Sequence, residues 1–221
     1  MMVTVFAAAS LTDAMTELAD EFMMDNPGYD IELNFGGSAT LREQLLAGAP
    51  ADVFAPADEA TMEEVESLIA GHPVVVATNH LELAVPAGNR HGVTTLADLA
   101  RDDLVVGLCA RGVPCGDLAA MLLDHSGVVA APDTEEPNVR SLLLKIENAE
   151  VDVGLVYRSD VIGSNGSVQS IDLHEGIDLQ NRYPIATMDD AANLSAATAF
   201  VEFVASDAGA NVLETYGFGR P

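Results

Sequence analysis

Basic residues are scarce in this chain. Lysine and arginine together number 9 of 221 residues, against 35 aspartates and glutamates, and Lys145 is the sole lysine. The formal net charge is −26. Because nucleic-acid binding depends on clustered basic side chains, this balance argues against nucleic acid as a partner. The acids are dispersed along a chain that is 49% hydrophobic, which suggests a folded, acidic-surfaced protein kept soluble in concentrated salt, and hence a halophilic source.

Long hydrophobic runs are also absent. No run approaches the roughly 18 apolar residues that a membrane-spanning helix needs. The N-terminal stretch MMVTVFAAAS has no basic segment and predicts a strand, not a signal peptide. If the protein is exported, we expect its targeting segment to lie outside this sequence.

The common catalytic and phosphate-binding motifs are missing. The chain has no G-x-S-x-G, G-x-x-x-x-G-K-[ST], G-x-G-x-x-G or H-E-x-x-H pattern. Acid pairs such as Asp52 and Asp58, or Asp102 and Asp103, are expected by chance among 35 acids and predict a solvated surface. The sequence therefore offers no catalytic residue.

Only two cysteines are present, Cys109 and Cys115, in the segment CARGVPC. They could form a disulfide, contribute half of a metal site, or be independent core residues. A zinc site needs about four ligands, and the histidines are scattered, so we predict no metal site. We favour the disulfide over core thiols, and it would imply an oxidising, extracytoplasmic setting.

Strand-like and helix-like segments alternate along the chain. The apolar run Val3–Ala7 predicts a strand, and Leu11, Met15, Leu18 and Phe22 share one face of the following helix. This alternation predicts an α/β fold with a mostly parallel sheet and helices on its faces. The segment HPVVVATNHLELAVPAGN instead places two strand-like runs in succession. Two lobes are expected, with chain crossings near residues 78–84 and 183–187.

Hydroxyl side chains follow the predicted strands. Ser10, which opens a helix in the capping pattern SLTD, and Ser38 each lie at a strand-to-helix junction, and Tyr157 ends the strand VDVGLVY. Ligands of α/β sheets bind beyond the carboxyl ends of the strands, where helix N-termini attract anions. Gly36 and Gly37 would let the backbone approach such a ligand closely. An ordinary helix cap, turn or core tyrosine is the alternative at each position.

These segments resemble those of periplasmic molybdate-binding proteins, the solute-binding components of molybdate ABC transporters. The resemblance lies in AAASLTDAMTELADEF, FGGSATLREQLLAGAPADVFAPAD, VPCG, VGLVYRSD and YGF. It implies a two-lobe, type II periplasmic-binding-protein fold with a ligand cleft between the lobes. Lobe I would comprise residues 1–78 and 185–221, and lobe II residues 79–184.

The resemblance also implies a set of ligand-binding residues. Ser10 and Ser38 would each give a hydroxyl and a backbone N–H to the oxyanion, Cys115 and Val139 a backbone N–H, and Tyr157 its phenol. The ligand would be molybdate or tungstate, with no cofactor and no metal beyond the metal of the oxyanion. The partner would be the membrane permease of an ABC importer. The protein would be a monomer outside the cytoplasm, anchored through a lipid in its precursor.

Two other functions are consistent with the same residues. One is a receptor for a different tetrahedral oxyanion, such as sulfate or phosphate. The other is a small-molecule enzyme on a similar two-lobe fold, although the sequence offers no base or nucleophile for it. A ligand-sensing regulatory domain is a weaker alternative, because the chain carries no DNA-binding segment.

Overall fold

A computed structural model of the chain describes residues 1–171, 173 and 179–221. These residues divide into two compact units: unit 1 comprises Met1–Thr78 and Asn181–Pro221, and unit 2 comprises Asn79–Gln180. The sequence placed the return to the first lobe at residue 185. In the structure the chain returns at Asn181, because the strand that begins there belongs to the sheet of unit 1.

Strands and helices alternate over most of the described chain. The strands are β1 (Met2–Ala8), β2 (Asp30–Gly36), β3 (Val53–Ala55), β4 (Val74–Asn79), β5 (Leu81–Pro86), β6 (Val106–Cys109), β7 (Thr134–Glu136), β8 (Val153–Tyr157), β9 (Val168–Ile171) and β10 (Asn181–Thr187). The α-helices are α1 (Thr12–Asp25), α2 (Ser38–Leu46), α3 (Glu59–Glu63), α4 (Pro114–Ser126), α5 (Val139–Glu147), α6 (Arg158–Gly163), α7 (Leu194–Val204) and α8 (Asp207–Thr215). Short 3-10 helices cover Ala9–Leu11, Glu66–Leu68 and Leu96–Ala100.

Unit 1 is built on a five-stranded sheet in the order β2-β1-β3-β10-β4. Strand β1 runs parallel to β2 and to β3, and β10 runs antiparallel to β3. The predicted apolar face of the first helix is confirmed, since Met15, Leu18 and Phe22 of α1 are buried. The ring of Phe22 packs edge-on against that of Phe200, with centroids 5.3 Å apart.

Unit 2 contains a second five-stranded sheet, in the order β7-β6-β8-β5-β9. Strand β6 runs parallel to β7 and to β8, whereas β5 runs antiparallel to β8 and β9. Its core includes Leu142 and Ile146, which α5 presents at helical spacing. The successive strands predicted in HPVVVATNHLELAVPAGN are β4 and β5, and they belong to different sheets.

Some sequence-based boundaries need correction. The helix predicted over Asp58–Leu68 is interrupted, because Val65 leaves the helical backbone (φ −114°, ψ 14°) and its side chain is fully buried in the core. Strand β7 was not predicted, since Thr134–Glu136 carries no apolar alternation. Among the residues that the structure describes, no helix is both long and apolar enough to cross a bilayer.

Candidate functional site

The serine junctions of unit 1 lie at one edge of its sheet. Ala8 pairs with Gly36 where β1 and β2 end, and Ala7 pairs with Ala55 at the end of β3. Because the carboxyl ends of these parallel strands share an edge, the residues that follow them are brought together. Ser10 follows β1 and Ser38 follows β2, and both are buried, at 3% exposed.

Ser38 is the first residue of α2, with Gly37 at the N-cap position. Its backbone N–H lies in the first helical turn, where no intrahelical acceptor exists. Its hydroxyl oxygen accepts the N–H of Ala57 at 3.0 Å. A hydroxyl has one proton to donate as well as lone pairs, so this contact leaves the proton available for another acceptor. Ser38 therefore offers two donors at one helix start.

Ser10 lies within the 3-10 helix Ala9–Leu11 that leads into α1. The helix cap considered for it from the pattern SLTD is not formed, because α1 begins at Thr12 with Leu11 at its N-cap. The hydroxyl of Ser10 instead lies 3.1 Å from the hydroxyl of Tyr183, on β10. Tyr183 is fully buried, and its ring packs edge-on against Phe218. The intervening 3-10 turn thus directs the serine toward β10.

The local structure accounts differently for the two glycines of NFGGSATL. A Cβ on Gly36 would lie 3.1 Å from the side chain of Leu41, which is tighter than ordinary van der Waals contact. Gly37 has φ −62° and ψ 133°, a conformation open to any residue. The close ligand approach predicted for both glycines stays a prediction, and at Gly36 packing against α2 already accounts for the small residue.

The proposed donors of unit 2 likewise follow the ends of parallel strands. Cys115 lies in the first turn of α4 after β6, Val139 begins α5 after β7, and Tyr157 ends β8. The registers of β6 with β7 and of β6 with β8 place these ends along one edge of the sheet. Each of the three residues is buried, with at most 4% of its surface exposed.

A disulfide fixes the start of α4. Cys109, the last residue of β6, is bonded to Cys115, with their Cα atoms 5.8 Å apart. The enclosed turn includes Gly112 at φ 81°, and the N–H of Gly112 donates to Asp117 at 3.0 Å. A Cβ on Gly116 would overlap the carbonyl oxygen of Ala110 at 1.9 Å, so only glycine permits this close approach. The backbone N–H of Cys115 is therefore held in a tightly constrained turn.

The starts of α5 and α6 are held by polar side chains. Asn138 caps α5 by accepting the N–H of Ser141 at 3.0 Å, which leaves Val139 at the first helical position. Asp160 accepts the backbone N–H of Tyr157 at 3.2 Å, and its other carboxylate oxygen lies 3.0 Å from Nε of Arg140. Both helix starts carry N–H groups that are oriented and lack intrahelical acceptors.

Each unit therefore presents a small group of neutral donors at the carboxyl edge of its sheet. Such groups suit a fully ionised oxyanion, which accepts hydrogen bonds and has no proton to donate. Over residues 1–171, 173 and 179–221, no group of three or more His, Cys, Asp or Glu residues could hold a metal ion.

Comparison with known proteins gives the family. The family described as bacterial extracellular solute-binding protein matches residues 3–219, nearly the whole chain. The chain belongs to this family. It is accordingly a solute-binding component, which is a class of binding and transport proteins.

Curated relatives of this solute-binding protein carry a more specific name. The chain is 38% identical over 221 residues to the molybdate-binding protein ModA of Mycobacterium tuberculosis, which covers 99% of this chain and 85% of that protein. It is 32% identical over 234 residues to the molybdate-binding protein ModA of Escherichia coli, with 98% and 88% covered.

Solved structures confirm the predicted two-lobe periplasmic-binding-protein fold. The periplasmic molybdate-binding protein of Azotobacter vinelandii matches with a TM-score of 0.81 at 19% identity, covering 99% of both chains. The sulfate-binding protein SubI of Mycobacterium tuberculosis matches with a TM-score of 0.79 at 17% identity, covering 99% of this chain and 86% of that one. At these identities the likeness concerns the fold alone.

Four residues of this solute-binding protein that support the predicted donors were not found from the sequence: three contact a donor directly, and Arg140 acts through Asp160. They are Ala57, Arg140, Asp160 and Tyr183. Asp160 carried a usable signal, because an acidic residue three positions after a helix start is typical of a capping interaction. Tyr183 and Ala57 carried none, since each is far in sequence from the serine that it contacts.

Proposed function

We propose that this solute-binding protein captures molybdate, and tungstate as a molecule of nearly the same shape and charge, for delivery to an ABC importer. The observation that carries the proposal is the set of buried, uncharged donors at the strand ends of each sheet. The names of the relatives from Mycobacterium tuberculosis and Escherichia coli support the same ligand. On this proposal the protein binds without catalysis and needs no cofactor.

The residues named from the sequence are proposed as the oxyanion-binding donors. From unit 1, Ser10 and Ser38 would each give a hydroxyl and a backbone N–H. From unit 2, Cys115 and Val139 would give backbone N–H groups, and Tyr157 its phenol. At Ser38 the accepted N–H of Ala57 leaves the hydroxyl proton for the ligand. At Ser10 the same holds when Tyr183 donates to the serine oxygen.

Discrimination between oxyanions follows from this donor set. Phosphate near pH 7 carries a proton, and a site with donors only leaves that proton without an acceptor, at a cost of about 1–3 kcal/mol. Sulfate is fully ionised but has shorter bonds to oxygen, so a cavity fitted to molybdate holds it loosely. Sulfate is therefore expected to compete with molybdate more strongly than phosphate does, and the chain shares its fold with a sulfate-binding protein.

The setting proposed for this function is outside the cytoplasm. The family is extracellular, and a disulfide such as Cys109–Cys115 persists in oxidising compartments. We propose a monomer that meets the membrane permease of the importer and is held near it by a lipid anchor. Among the described acidic residues, only Asp52, Glu136, Asp152 and Asp160 are buried, so the negative charge lies mainly at the surface, as in proteins adapted to concentrated salt.

A ligand panel tests the proposal. Thermal unfolding is followed with molybdate, tungstate, sulfate and phosphate, each in dilute and in molar salt. We expect molybdate and tungstate to raise the melting temperature by several degrees, which corresponds to about 2.7 kcal/mol at a ligand concentration of 100 times Kd. Sulfate and phosphate should have little effect. A response to sulfate alone would show that the ligand is sulfate and not molybdate. Equal stability in dilute and in molar salt would contradict the adaptation to salt.

A further inference from the structure

Asp160 is an exception in this acidic chain because its carboxylate is completely buried, with 0% of its surface exposed. One oxygen accepts the backbone N–H of Tyr157 at 3.2 Å. The other lies 3.0 Å from Nε of Arg140, whose side chain is 26% exposed. Burying a charge is costly unless it is paired and hydrogen-bonded, so Arg140 compensates a carboxylate that would otherwise be strongly destabilising.

This ion pair joins the two helix starts that carry proposed ligand donors. Arg140 is the residue after Val139, at the beginning of α5, and Asp160 lies in the first turn of α6, which follows Tyr157. A guanidinium and a carboxylate in contact restrict both turns, and the carboxylate also holds the N–H of Tyr157 directly. The pair is therefore placed to fix the spacing between the Val139 N–H and Tyr157.

Charge gives the pair a second role. A bare carboxylate on the turn that carries Tyr157 would repel a bound dianion, and burial weakens the screening of that repulsion by salt. With Arg140 in contact, the local charge is close to neutral. Tyr157 can then donate to an anion even though an aspartate accepts its backbone N–H.

We infer that Arg140 is a positioning residue for oxyanion binding, which acts through Asp160 by fixing the Val139 and Tyr157 turns and by cancelling the buried negative charge. This rests on the proposed function, and names a determinant of affinity that does not itself touch the ligand.

Other ionisable groups on the elements packed against α6 have partners of their own. On β5, Glu82 lies 3.6 Å from His80 and 3.8 Å from Arg158, which is on α6 itself. On α5, Lys145 pairs with Glu136, and Glu147 accepts from Ser167 at 2.8 Å. The described residues of β9 include no ionisable side chain. A new pH dependence after removal of Arg140 would therefore point to Asp160.

The test measures molybdate affinity by calorimetry between pH 5 and 8 for the wild type, Arg140→Met, Arg140→Lys and Arg140→Met/Asp160→Asn. We expect Arg140→Met to bind at least about tenfold more weakly at pH 8, since it removes the guanidinium that contacts a buried carboxylate. Its affinity should recover as the pH falls and Asp160 gains a proton. Arg140→Lys keeps the charge and should restore most of the affinity. The double variant should bind a few-fold more weakly than the wild type, without pH dependence.

A matched control lies at the other end of β8. Arg90 contacts Asp152 at 3.0 Å, and Asp152 directly precedes that strand, away from Tyr157. Arg90→Met should leave molybdate affinity unchanged at every pH.

Several outcomes would overturn the inference. If Arg140→Met binds as the wild type does, or is weakened equally at all pH values, the electrostatic role is wrong. If Arg140→Met does not fold, the double variant decides, since it buries no lone charge; wild-type affinity there would refute the positioning role. A wild type that binds no molybdate would instead refute the proposed function.

Discussion

The two units of this protein use the same sheet geometry but support their donors differently. In each, parallel strands deliver helix starts to one edge of a five-stranded sheet. In unit 1 the proposed donors include the serine hydroxyls, whose contacts are neutral: the Ala57 N–H and the Tyr183 hydroxyl. In unit 2 the proposed donors are mainly backbone N–H groups, and their turns carry a disulfide and the Arg140–Asp160 ion pair.

The difference follows from what must be fixed before each kind of donor points at a ligand. A hydroxyl proton rotates about its C–O bond, so a serine donor needs a neighbour that fixes where the proton points. A backbone N–H has its direction set by the helix, so what must be fixed is the helix start itself. Unit 1 therefore orients side chains, whereas unit 2 fixes main-chain turns.

The largest expected effect is loss of the Ser38 hydroxyl. Ser38→Ala removes a donor to a charged ligand, which contributes about 1.5–3 kcal/mol, or roughly 10- to 150-fold in Kd. Calorimetry with molybdate measures it. The control is Ser164→Ala in unit 2. In the described contacts this buried hydroxyl bonds only to nearby residues of the same segment, so its loss should lower stability but leave affinity unchanged. Unchanged binding by Ser38→Ala would remove the Ser38 hydroxyl from the proposed site.

An intermediate effect is expected on acidification, which should lower the stability of unit 2. For Asp152, burial raises the pKa, but the Val105 N–H, Arg90 and His91 together hold it below its usual value. For Glu136, burial again raises the pKa, and hydrogen bonds from Lys145 and Thr134 outweigh it. A lowered folded-state pKa contributes stability above the unfolded values of about 4, and this is lost as the pH falls through the folded values.

Asp152→Asn tests this loss. We expect the variant to melt about 2–4 °C below the wild type at pH 7, a loss of roughly 1 kcal/mol, with the gap closing toward pH 3. Glu32→Gln changes an exposed carboxylate of unit 1 and should shift the melting temperature little at either pH. A gap that is constant from pH 7 to pH 3 would show that Asp152 contributes no acid-labile stability.

The smallest expected effect is at Tyr183. Tyr183→Phe keeps the ring that packs on Phe218 and loses only the hydroxyl near Ser10, so affinity should fall a few-fold, or about 1 kcal/mol. Because the effect passes through Ser10, it should vanish on a Ser10→Ala background. Tyr216→Phe is the matched control: it removes a hydroxyl bonded to Glu17 at 2.5 Å and should leave affinity unchanged. Additive losses for Ser10 and Tyr183 would contradict the orienting role.

Much of the fold could be predicted from the sequence because its signals are local. The apolar face of α1, the start of α2 at Ser38 and the succession of β4 and β5 all depend on residues a few positions apart. Strands β7 and β9 could not be found this way, since their partners in the sheet, and not their own composition, make them strands.

The sequence by itself determined which residues could donate to an anion: two serines, a tyrosine and two helix starts, each placed by a strand-to-helix junction. Only the tertiary structure decided what holds them. Ser10 meets Tyr183, Ser38 meets Ala57, and Arg140 meets Asp160. The reason is physical: helix and strand periodicity extends over a few residues, whereas these contacts join segments that sheet pairing and helix packing bring together from distant parts of the chain.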